Sequence, residues 1–212
     1  MKTDDLINLL VKDLNSFSIR PSTAILAALL AGATLASIFL ILIPGCRPDF
    51  TVIFSIARFP ITATLPLFFT TCAAAALTRL TRPAVLVGPW LWMLLAVSIL
   101  LAAAGLVEVA SISTRSLIPA FSGWQFLQTL GHLIILSIAP LLCLVAALLQ
   151  AAPTRPGLAG ALAGLTAGGI AVTLHMAFAS DDGSLFSALA YSIAMTLVCL
   201  TGTVVGTVFL KW

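Results

Sequence analysis

Between Pro21 and Leu210 the sequence is a succession of apolar runs about twenty residues long, parted by short polar breaks. Few folds accommodate that pattern. About twenty mostly apolar residues cross the hydrocarbon core of a bilayer as a helix. In lipid every backbone donor and acceptor has to be satisfied within the segment or in a closed barrel. Barrel strands alternate apolar and polar residues, and these runs do not. Six transmembrane helices are expected, at 23–44, 59–78, 84–106, 126–149, 158–178 and 186–208. Pro21 precedes the first and Pro44-Gly45 ends it. Arg79, Arg82 and Pro83 separate the second from the third, Pro153 to Gly157 the fourth from the fifth, and Asp181 to Ser184 the fifth from the sixth.

Composition agrees. The 212 residues are 61% hydrophobic and only 8% charged, against about 25% charged in soluble domains. So few charges cannot cover a water-soluble surface of this size, so the fold class expected is an all-α integral membrane protein. A net charge of +3 without any basic run argues against direct nucleic-acid binding. Cys46, Cys72, Cys143 and Cys199 show no metal-ligand spacing, and the last three fall inside apolar spans as small packing residues. No nucleophile–base pair and no phosphate-binding loop is present, so nothing supports an enzyme, and no cofactor is expected.

An even number of spans puts both ends on one side. Lys2, Lys12, Arg20, Arg79, Arg82, Arg155 and Lys211 then share that side, against Arg47, Arg58 and Arg115 on the other. Positive residues collect on the cytoplasmic face, so both termini are expected in the cytoplasm.

The first twenty residues differ from the rest. They hold Lys2, Asp4, Asp5, Lys12, Asp13 and Arg20. Thr3 is a candidate N-cap, and Asp4 and Asp5 suit the first turn of a helix through its dipole. Leu6, Ile7, Leu9, Leu10, Leu14 and Phe17 cover one broad face, widened by Val11. Asp4, Asp5, Asn8, Lys12, Asn15 and Ser16 occupy the other. A helix over 4–17 would be about 21 Å long. Helices that lie on membranes carry several basic residues on the polar face; here only Lys12 does so, and Asp13 falls inside the apolar arc. A carboxylate there suits a protein partner offering a basic residue beside an apolar groove. The favoured division is therefore 1–20 as a docking segment and 21–212 as a six-helix bundle, with a helix lying on the bilayer surface as the alternative.

Within the spans, Gly160, Gly164 and Gly168 recur every four residues, and Gly202 and Gly206 repeat the spacing. Such stripes let helix backbones approach closely in lipid, either inside the bundle or between two copies of a homo-oligomer. Ionisable groups inside the membrane are scarce. His132, His175 and Glu108 fall at similar depth near the outer face, where the favoured role for the histidines is hydrogen-bonded packing and the alternative is haem or metal ligation.

Several stretches together resemble one family. "KTDDLI..L..DL" ahead of six spans, "GCRPDF" after the first, "APTRPGLAGALAGLTAGG" at 152–169, Leu174-His175, Ser184 to Phe186 and the closing "LKW" are similar, across the whole chain, to the NrsF-like membrane anti-sigma factors. The resemblance implies a bacterial inner-membrane protein. Its cytoplasmic N-terminal segment would hold an extracytoplasmic-function sigma factor away from RNA polymerase and release it on envelope or oxidative stress. Asp4, Asp5, Leu6, Ile7, Leu9, Leu10, Asp13 and Leu14 are the expected partner-binding residues. The family often has a cysteine after this histidine and another near the start of the fourth span; here Met176 follows His175, and Gly123 to Leu130 contains none. Cys46, His132, His175 and Met176 remain as candidate sensing residues. A small transporter or channel, or a haem-binding membrane protein, is the competing function.

Overall fold

The computed structural model describes residues 21–42, 59–81, 92, 123–151, 153, 155–178 and 185–210. Over these residues the protein is all-helical. The helices are α1 (Pro21–Leu42), α2 (Phe59–Leu80), α3 (Gly123–Ala151), α4 (Pro156–Phe178) and α5 (Leu185–Phe209). Four contain stretches long and apolar enough to cross a membrane: Ser22–Leu42, Phe126–Ala151, Pro156–Met176 and Ala190–Phe209. The apolar part of α2, Pro66–Leu80, is shorter. Five expected spans fall on these helices. The third, 84–106, lies outside the described residues apart from Trp92, as do the segment 1–20, Cys46 and Glu108.

Proline placement differs from the expectation at two helix starts. Pro21 and Pro156 are not breaks ahead of helices but their first residues. A first-turn proline loses nothing by lacking an N–H, and its fixed φ is already helical. At α4 the carbonyl of Arg155 accepts the Ala159 N–H at 3.0 Å, closing the first turn around Pro156. Pro66 and Pro140 lie inside α2 and α3. Arg79 occupies the last turn of α2, where a cation opposes the helix dipole.

Helix α4 is the hub. It packs against each of the other four helices, most extensively against α5 and next against α2 and α3. Its apolar stretch is 67% buried, against 22% for those of α1 and α5. The reason lies in its sequence, PGLAGALAGLTAGGIAVTLHMAF, which is dominated by glycine and alanine. Small residues bring neighbouring backbones close, and close contact is what holds helices together where water supplies no hydrophobic drive. Helix α1 lies mainly along α3.

The core divides by level. Ile25 of α1, Leu77 and Leu80 of α2, Leu144 and Leu148 of α3, Ala159 and Leu162 of α4 and Leu210 after α5 form one cluster. The start of α1, the end of α2, the end of α3, the start of α4 and the end of α5 therefore share one end of the bundle. At the other level Ala36 and Leu40 meet Leu136 and Ala171, and Leu133 and Val172 meet Tyr191 and Ala194. Leu80 and Gly123 consequently lie at opposite ends, and the expected span 84–106 belongs to the stretch of sequence between them.

The outward faces are apolar. Leu30 is 70% exposed, Leu42 72% and Phe209 65%, with Leu142, Leu200, Val204 and Val208 similarly placed. That surface suits lipid. Hydroxyls turn inward to their own helices. Ser37, Thr70, Ser137, Thr166 and Thr203 each donate to a carbonyl three or four residues back, at 2.6 to 2.8 Å. Among the described residues no buried side-chain nitrogen or oxygen lacks a partner.

The glycines separate two kinds of position. A Cβ on Gly160 would collide with the carbonyl oxygen of Gly202 and lie 2.8 Å from the Cα of Gly206, whereas one on Gly131 would meet nothing within 4 Å. Gly160→Ala should cost about 1–3 kcal/mol through overpacking. Gly131→Ala should be neutral or stabilising by up to about 1 kcal/mol, because glycine is a poor helix former. Unfolding midpoints in mixed micelles check this; equal responses would refute the close contact at Gly160.

Candidate functional site

Two features stand out from the apolar packing: a contact of bare backbones and a cluster of polar rings. The first runs between α4 and α5, which are antiparallel. Gly160 faces Gly202 and Gly206, Gly164 faces the backbone of Val198 and Cys199, and Gly168 faces Met195. Gly206 in turn meets the carbonyl of Pro156, and Gly157 meets Thr207. Four of the five glycines at this spacing, Gly160, Gly164, Gly202 and Gly206, thus face each other within one chain, and Gly168 faces Met195. Two further close approaches were not singled out from the sequence. Gly169 packs on Thr70 of α2, and a Cβ on Gly32 of α1 would lie 2.6 Å from the Cα of Pro140 in α3. Each pairs a lone glycine with a non-glycine, so no four-residue repeat announces it.

The polar cluster sits at the opposite end of the bundle from the start of α1. His132 is the tenth residue of α3, His175 lies in the last turn of α4, and Tyr191 is in the second turn of α5. The imidazole centres of His132 and His175 are 6.5 Å apart, with the rings tilted by 38°. Tyr191 meets His175 edge-on at 5.9 Å, with its hydroxyl 3.4 Å from Nδ1. Depending on the tautomer, the hydroxyl donates to a bare Nδ1 or the Nδ1–H donates to the phenolic oxygen. His175 and Tyr191 are buried; His132 is half-buried. Met176 packs into the same cluster as Leu133, Val172 and Tyr191. Helix positions explain the convergence: α3 starts, α4 ends and α5 starts near this level, so His132 comes from the third turn of α3, His175 from the last turn of α4 and Tyr191 from the second turn of α5.

Of the candidate sensing residues, His132, His175 and Met176 come together here, and Cys46 lies outside the described residues. So do the expected partner-binding residues Asp4, Asp5, Leu6, Ile7, Leu9, Leu10, Asp13 and Leu14. Tyr191 was not foreseen, although it is the only tyrosine in the chain. A single phenol in an apolar helix needs a hydrogen-bond partner when buried, and that was the available signal. Cys72, Cys143 and Cys199 are free thiols, the first buried and the other two half-buried. Among the described residues no three His, Cys, Asp or Glu side chains gather to hold a metal.

These features suggest an all-helical membrane protein, built round a small-residue hub with a polar ring cluster at one end. The family model described as negative regulator of sigma F, NrsF, matches residues 10–212, and the chain belongs to that family. A probable anti-sigma-F factor NrsF from Azospira oryzae (strain ATCC BAA-33 / DSM 13638 / PS) is 30% identical over 224 residues, covering all of both chains. The anti-sigma-F factor NrsF of Caulobacter vibrioides (strain NA1000 / CB15N) is 29% identical over 216 residues, again covering all of both. No solved structure matches the chain.

Tyr191→Phe removes the hydroxyl beside His175 while keeping the ring. It should shift the Nδ1 resonance of His175 in nitrogen-15 spectra of the reconstituted protein and leave that of His132 nearly unmoved. Unchanged His175 resonances would mean that the hydroxyl does not hold the imidazole.

Proposed function

We propose that this protein is an anti-sigma factor. It sequesters an extracytoplasmic-function sigma factor at the inner membrane and frees it on envelope or oxidative stress. The observation that carries this reading is the match, over the whole chain, to relatives named anti-sigma-F factors. The amphipathic pattern of residues 4–17 supports it, because a bundle that presents lipid-suited surface on its flanks has a water-adapted segment only in a few places. Within that segment Leu10, Asp13 and Leu14 fall inside the stretch matched by the family, which begins at residue 10.

The action is binding rather than catalysis. Leu6, Ile7, Leu9, Leu10 and Leu14 would fill an apolar groove on the sigma factor, and Asp4, Asp5 and Asp13 would pair with basic residues at its edge. To hold free sigma factor near 1% at micromolar regulator, the dissociation constant has to be about 10 nM, about −11 kcal/mol. Freeing half of it requires a weakening of about two decades, about 2.7 kcal/mol. A short isolated helix is marginal in water, so the segment folds as it docks. It leads directly into α1 at Pro21, so a shift of α1 in the bundle is the route by which the membrane part acts on it. Both termini lie in the cytoplasm on this reading, which puts the histidine cluster towards the outer face.

Affinity capture from native membranes tests the reading. A sigma factor should elute with the full-length protein and not with a version lacking residues 2–18. The triple substitution Leu6→Ala, Leu10→Ala, Leu14→Ala should weaken capture by at least a hundredfold. A sigma factor retained equally by all three forms would exclude the N-terminal segment as the docking element; none with any form would refute the anti-sigma reading.

A further inference from the structure

The charges of the bundle carry a second inference. Among the described residues there is no Asp or Glu, and the only Lys or Arg are Arg79 and Arg155. Both are exposed, and both lie at the end of the bundle where α1 begins. Arg79 is in the last turn of α2, and Arg155 directly precedes Pro156 of α4. These two helices pack against each other, which sets their axes about 8–10 Å apart. Apolar surface adjoins the cations. Leu158, one turn after Arg155, is 39% exposed, and Phe209, three residues beyond the glycine that meets the Pro156 carbonyl, is 65% exposed.

Residues 1–20 lead into this same end at Pro21. Their sequence has the complementary pattern. Asp13 falls inside an arc of leucines, and Asp5 is eight residues earlier, about 12 Å along a helix. Asp13 is eight residues ahead of Pro21, a reach of up to about 28 Å that crosses both helix ends. Asp181 and Asp182, by contrast, fall between Phe178 and Leu185, at the opposite end. Lys2, Lys12 and Arg20 balance the three aspartates of the segment, so the complementarity is one of registered pairs rather than of bulk charge. A guanidinium has five N–H donors, so hydrogen bonds to its own helix end leave others for a carboxylate.

We propose that residues 4–17, when no partner holds them, dock on the chain's own bundle, with Asp13 and Asp5 on Arg155 and Arg79 and the leucines over Leu158 and Phe209. The docking stands by itself. Its regulatory consequence rests on the anti-sigma reading, because the face covered in this way is the face offered to the sigma factor. Bundle and sigma factor then compete for one segment, and a shift of α1, which moves Pro21 relative to Arg155, sets the balance between them.

Hydrogen exchange on the full-length protein in lipid nanodiscs, without any sigma factor, tests the docking. Amides of residues 4–17 should exchange at least tenfold faster in the double variant Arg79→Gln, Arg155→Gln than in the unaltered protein. Arg155→Glu should give a similar loss of protection, and adding Asp13→Arg to it should restore the protection. Helix content measured by circular dichroism verifies that each variant is folded. Equal exchange in all forms overturns the docking, and so does protection that follows the anionic lipid content of the disc and ignores the arginines, which would assign the segment to the membrane surface. With the sigma factor added, the double variant should bind it severalfold more tightly; an unchanged affinity overturns the competition. No sigma binding by any form refutes the anti-sigma reading and the competition with it, and leaves the exchange result to decide the docking.

Discussion

Close backbone contact between α4 and α5 is the interaction on which the bundle rests. In lipid, burying a leucine against another helix gains little, because acyl chains are as apolar as side chains. What remains is the density of van der Waals contact. Gly160, Gly164, Gly202 and Gly206 remove the side chains that would hold the two axes apart. The same economy of volume on α4 admits α2 at Gly169 and places α3 alongside. One helix of small residues thereby organises four others, whose bulky residues divide between the core, as at Phe69, Leu77 and Leu148, and the outward faces, as at Leu30, Phe68 and Leu142.

Much of this was legible in the sequence. Long apolar runs broken by proline, glycine and paired charges fixed the positions of α1 to α5 to within three residues at each end. The glycine spacing in α4 and α5 marked faces able to approach closely, though not whether they belonged to one chain or two. What the pattern could not convey was which helices neighbour which. Apolar faces in lipid are nearly uniform, so hydrophobic periodicity carries little information about partners. The contact of α1 with α3 through Gly32 and Pro140 depends on two single residues, neither part of a repeat.

The histidine cluster was half legible. Counting turns placed His132 and His175 at a similar depth, but depth does not imply adjacency round the bundle. Only packing brings the two rings to 6.5 Å. Tyr191 escaped notice because one phenol in an apolar helix resembles any other aromatic packing residue until its neighbour is known. The partner-binding face was read wholly from periodicity, since residues 1–20 lie outside those described. Its support is the alternation of apolar and charged residues in a chain that otherwise has almost no charge to spend.

The crossing of α1 and α3 has a mechanical meaning. Gly32 lies near the middle of α1 and rests on Pro140, a residue that interrupts the hydrogen-bond ladder of α3. A rocking motion of α1 on α3 would have this close contact as its fulcrum. Eleven residues of rigid helix separate Gly32 from Pro21, an arm of about 16 Å. Below the fulcrum, Ile25 belongs to one core cluster; above it, Ala36 and Leu40 belong to another, and the level they share contains the two histidines. Rocking α1 by about 10° on Pro140 would sweep its first residue through about 3 Å, by the geometry of that arm. Displacement at one end of the bundle would thereby be returned, inverted, at the other.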